Sequence, residues 1–89
     1  MKFRVERICR SDSMSAIPLE KVRFDLARSC DALREKGYAV EAHELYLVTN
    51  IGQMDVTIYG SGRVLFHPLN EKAKAKELAQ TLFDVLAPE

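Results

Sequence analysis

Eighty-nine residues set one domain over 1–89, with room for a single two-layer core that buries roughly 60–65% of the unfolded surface. With 47% apolar and 29% charged residues the chain reads as a soluble globular domain. It has no apolar run near the ~18 residues of a membrane span, and Met1 to Arg10 lacks the apolar core of a signal peptide, which excludes a membrane partner and makes the cytoplasm the expected location. Thirteen basic and thirteen acidic residues cancel, which speaks against a broad phosphate-binding surface.

Lys2 to Arg10 opens the chain as a strand, with Phe3 and Val5 inward and Lys2, Arg4 and Glu6 outward. Ile8 breaks the parity, so a bulge or strand end is expected near Arg7. Ser11 to Ile17 reads as a polar loop, and Pro18 as the first turn of a helix. Leu19, Val22, Leu26, Cys30 and Leu33 mark one face of that helix to Lys36, and Gly37 stops it. Phe24 lies off the stripe, either at the core flank, the preferred reading, or exposed for a partner. Cys9 and Cys30 read as small core or near-core residues rather than a disulfide.

From Tyr38 to Asn50 the pattern predicts a short strand to about Ala42, a kink at His43-Glu44 and a longer strand Leu45 to Asn50. Met54, Val56 and Ile58 then alternate with Asp55, Thr57 and Tyr59. Gly60-Ser61-Gly62 supplies a tight turn, and Arg63 to His67 returns as the second strand of a hairpin until Pro68, which has no donor, ends it. Asn70 is a good N-cap. Ala75, Leu78, Ala79, Leu82, Val85 and Leu86, with Phe83, give the helix that follows its apolar stripe.

The predicted order is β-α-β-(β)-β-β-α, an α+β fold in which two helices cover one face of an antiparallel sheet of four to five strands. By alternation the other face carries Glu44, Tyr46, Val48, Asp55, Thr57, Tyr59, Leu65 and His67, more apolar than a free surface needs. No catalytic motif, cofactor motif or metal-ligand spacing is present, so neither an enzyme nor a cofactor or metal is expected. Gly60-Ser61-Gly62 leads into a strand and lacks the helix dipole of a phosphate loop. Lys72, Lys74 and Lys76 alternate with Glu71 and Glu77 along a solvated helix face. Glu44 and Asp55 are candidate cross-strand neighbours, and nothing else converges on them.

The run TIYGSGRVLF, followed by a helix rich in Lys, Ala and Glu, resembles one repeat of the TATA-box-binding protein family, specifically over Val56 to Phe66. The preceding strand, helix and strands agree with that family in order, so the resemblance implies its fold for most of the chain. The amino-terminal domain of one class of bacterial ribonuclease H is similar, so the fold alone fixes no function. The resemblance places Tyr59 where the family has a minor-groove wedge, Arg63 at its basic residue after the turn, and Leu65 and His67 on the same face. This chain departs from the family in three respects. Glu44 to Asn50 holds no second wedge phenylalanine, Asp55 and Glu44 are acidic, and one repeat stands where the family's saddle has two, which a homodimer can rebuild.

The resulting expectation is a non-catalytic binding module that uses Tyr46, Val48, Thr57, Tyr59, Arg63, Leu65 and His67 for self-association or protein docking. The alternative is a nucleic-acid-binding module on the same face, disfavoured by zero net charge and the acidic sheet centre.

Overall fold

The computed structural model describes residues 2–8 and 12–89. Within them the chain runs β1 (Phe3–Arg7), β2 (Met14–Pro18), α1 (Leu26–Glu35), β3 (Val40–Ala42), β4 (Tyr46–Ile51), β5 (Met54–Tyr59), β6 (Val64–His67) and α2 (Lys72–Val85). The strands form one antiparallel sheet in the order β1-β2-β6-β5-β4-β3. The class is α+β, and the element order is β-β-α-β-β-β-β-α.

The sixth strand corrects the expected order. Met14 to Pro18, read from sequence as loop and helix start, is a strand held between β1 and β6. Met14 and Ala16 turn inward, where Phe66 and Val64 face them across the ladder. Pro18 fits because of where it sits. Leu19 N donates to Lys2 O at 2.9 Å, so alternation turns the Pro18 nitrogen toward β6, past the end of that ladder at Ala16↔Val64.

The helix predicted from Pro18 therefore starts later. Asp25 is its N-cap, and its Oδ1 accepts from Arg28 N at 3.1 Å. Residues 19–24 bend away from β2 and lead to α1, with Phe24 N donating to Gly60 O and Asp25 N to Ala87 O. Leu19, expected on the buried stripe, is 59% exposed. Gly37 does close α1, at φ +95°.

At α2 the expected cap is displaced by one residue. Asn70 donates its amide to Asp12 Oδ1 at 3.0 Å, which ties the β6–α2 link to the β1–β2 loop and occupies the side chain. Glu71 is the cap residue and makes no side-chain capping bond.

Both helices lie on one side of the sheet, α1 over β3 and β4 and α2 over β1 and β2. Between them and the sheet lie Met14, Ala16, Leu47, Val56, Ile58, Val64 and Phe66 from the strands, Cys30 and Leu33 from α1, and Ala75, Ala79, Leu82 and Phe83 from α2. Phe24 belongs to this core. Its ring stacks on Phe83 at 6.0 Å, and Phe83 meets Phe3 edge-on at 5.0 Å. The buried thiol of Cys30 is free, and Cys9 lies outside the described residues.

Candidate functional site

Six paired strands with both helices on one side leave the opposite face open. Antiparallel partners point the same way, so the register fixes what that face displays. Its central row crosses all six strands as Glu6, Ser15, Leu65, Thr57, Val48 and Glu41. On one side of it stand Asn50, Asp55 and His67, with Asn50 Nδ2 donating to Asp55 Oδ1 at 3.2 Å.

The row on the other side is basic and aromatic. Arg4 pairs with Ile17, and Tyr46 with Tyr59. Arg63 stands between these pairs: its carbonyl accepts from Tyr59 N at 2.9 Å, and it shares a cleft of about 370 Å³ with Ile17, Pro18, Tyr59, Ser61 and Leu65. The Tyr46 and Tyr59 rings lie 5.9 Å apart, and His43 stacks on Tyr46 at 4.6 Å and 21°. Arg4 is matched locally by Glu6 at 3.2 Å, and His43 Nε2 lies 3.3 Å from Glu41 Oε1. Such exposed pairs contribute about 0–1 kcal/mol each. Arg63 makes no ion pair among the described residues.

Tyr46, Val48, Thr57, Tyr59, Arg63, Leu65 and His67 thus stand together on one face. Apart from exposed Arg63 and His67, these side chains are half-buried by one another rather than by a helix. Glu44 does not join them. It lies in the bend between β3 and β4, and Asp55 has Asn50 and His67 as cross-strand neighbours instead.

Sequence reasoning missed Ile17 and Ser15, because their strand was read as a loop. Ile17 extends the apolar strip from Tyr59 and Leu65 across to β2. Ser15 is only 5% exposed, and its Oγ has no hydrogen-bond partner. An unpaired buried hydroxyl costs about 1–3 kcal/mol. Ser15→Ala is therefore expected to hold or raise stability, by up to about 1 kcal/mol in chemical denaturation. A loss of more than about 1 kcal/mol would show that the hydroxyl is bonded in solution.

A second pair also escaped notice: Ser13 Oγ lies 2.7 Å from His67 Nδ1. Ser13 is buried beside the end of β6, and the contact ties the β1–β2 loop to the strand. Among the described residues no group of three His, Cys, Asp or Glu side chains is placed to hold a metal ion. No described helix is long and apolar enough to cross a membrane.

No family model matches the chain, and neither a curated protein nor a solved structure matches it.

Proposed function

We propose that the chain is a non-catalytic binding module whose open sheet face packs against a protein surface. The observation that carries this reading is the continuous strip Ile17, Leu65, Tyr59, Tyr46, Val48, which crosses the sheet with no helix over it. Water against such a strip is unfavourable by roughly 25 cal/mol per Å² of apolar surface, so a partner that covers it gains that energy. Paired strands also hold these side chains in fixed register, which suits a docking surface better than a reactive centre.

Photo-crosslinking in the native host tests the reading. A photoreactive phenylalanine analogue replaces Tyr59 in one strain and Lys74, on the exposed side of α2, in another. Protein adducts from position 59 and none from 74 are expected. Absence of protein adducts at 59 would overturn the reading.

A second reading, binding of nucleic acid to the same face, is favoured by one observation. Arg63, with no ion pair among the described residues, stands beside Tyr59, whose ring is tilted against the stacked Tyr46–His43 pair, the combination of a cation with aromatic platforms that nucleic acid uses. The likeness of Val56 to Phe66 to a TATA-box-binding-protein repeat supports it as well, while Asp55 and Glu41 on the face oppose it. Titration with duplex DNA and single-stranded RNA separates the two readings. Nucleic-acid contact predicts binding that falls steeply with salt and weakens in Arg63→Ala and Tyr59→Ala.

A further inference from the structure

We infer that the occupant of the open face is a second copy of this chain, packed face to face about a twofold axis running along the strands between β5 and β6. The inference rests on the docking reading above and adds the partner's identity and orientation.

The register makes the face self-complementary under that operation. β6 and β5 are the third and fourth of six strands, so the axis bisects the sheet. Rotation about it lays β6 over β5 of the second copy, β2 over β4 and β1 over β3, and each cross-strand row stays over itself. In the basic-aromatic row Arg63 then meets the Tyr59 ring of the second copy, a cation–π contact for the cation that lacks an ion pair. In the same row Ile17 meets Tyr46 of the second copy, apolar surface on apolar surface. Leu65, beside the axis, meets Thr57 of the second copy, and Thr57 meets its Leu65.

Charge selects this axis over its alternative. The β1–β2–β6 half of the face holds Arg4 and Arg63 against Glu6, and the β5–β4–β3 half holds Asp55 and Glu41. A twofold along the strands sets the net positive half over the net negative half, with His67 over Asp55 of the second copy and one kind of like-charged contact, Glu6 over Glu41, at the sheet edges. A twofold across the strands through the central row would lay each half over its own copy, with Arg63 over His67 and Asp55 over Tyr59. Halves of the same net sign repel in that arrangement, whereas both axes keep the strands aligned as sheets packed face to face prefer.

Area sets the strength. Six strands at ~4.8 Å and about 17 Å of strand length give a footprint on the order of 500 Å² per copy, or about 1,000 Å² buried in all. That is the lower end of stable interfaces, so a reversible dimer in the micromolar range is expected.

Sedimentation equilibrium of the purified chain from about 5 to about 500 µM brackets that affinity. A monomer–dimer equilibrium is expected, weakened at least about tenfold by Leu65→Arg and by Arg63→Glu and unchanged by Lys74→Glu. Leu65→Arg is read only if its far-ultraviolet circular dichroism is native; exposed Arg63→Glu provides the same test without touching packed surface. Concentration-dependent amide shifts should centre on Ile17, Thr57, Tyr59 and Leu65. A dimer that persists in both face variants, or shifts confined to the helices, overturns the inference. A monomer throughout, with protein adducts at position 59 in cells, overturns self-pairing and leaves the docking reading standing. A monomer with no adducts overturns both.

Discussion

Gly62→Ala is expected to destabilise the fold by about 2–6 kcal/mol, from two costs that act together. Gly62 closes the β5–β6 hairpin at φ +96°, a conformation that side chains with a Cβ rarely adopt, at about 1–3 kcal/mol. A Cβ at that position would also lie 2.8 Å from Pro18 Cγ, 3.1 Å from Val22 Cγ1 and 3.3 Å from Phe24 Cε2. Pro18 is held by its pairing with Phe3, and Phe24 by its stack on Phe83, so neither gives way freely; overpacking of this kind costs about 1–3 kcal/mol more. Gly37 supplies the control. It has nearly the same φ, +95°, and nothing within 4 Å of an added Cβ, so Gly37→Ala carries only the conformational cost. Urea denaturation of both variants separates the two costs. Equal shifts in the midpoint would mean that the approach of residues 18–24 to the turn has no energetic consequence.

Phe66→Ala should be the most damaging truncation in the sheet. Its ring is fully buried on the helix side of β6, with Met14 and Val56 as cross-strand neighbours on the same face. Buried Phe→Ala changes cost about 3–5 kcal/mol, through lost transfer energy and the cavity left behind. A domain of this size has about 4–13 kcal/mol in total, so the variant is expected to be partly unfolded at 37 °C. Leu65, one residue earlier, points to the open face, and Leu65→Ala should lose no more than about 1.5 kcal/mol. The contrast between adjacent residues, read from thermal unfolding, reports which face is the core. Similar losses at 65 and 66 would contradict the two-sided sheet.

The parts of the fold legible in the sequence are those whose signals are local. Met54 to His67 alternates cleanly about a glycine-bearing turn, so its strands and the faces of Tyr59, Leu65 and His67 follow from parity. The kink at His43-Glu44 was legible as polarity, although the stack of His43 on Tyr46 depends on the bend's three-dimensional course. β2 was not legible. Ser15 and Ala16 are small, and the spacing of Leu19, Val22 and Leu26 mimics a helical stripe. What makes Met14 to Pro18 a strand is pairing with β1 on one side and with β6 on the other. With β2 lost, Ile17 and Ser15 dropped out of the open face, and its strip looked shorter than it is.

The place of β2 also sets the order in which the molecule comes apart. β3 to β6 is a run of hairpins between sequence neighbours, whereas Met14↔Phe66, Ser15↔Leu65 and Ala16↔Val64 join residues 48 to 52 apart. Closing a loop of that length costs about 3–4 kcal/mol of chain entropy, and only these three register pairs tie the β1–β2 hairpin to the rest of the sheet. α2 rests on β1 and β2, so when that seam opens the helix parts from the rest of the sheet together with the hairpin. The β3–β6 meander under α1 remains as the smaller cooperative unit, with β6 exposed as a fresh edge.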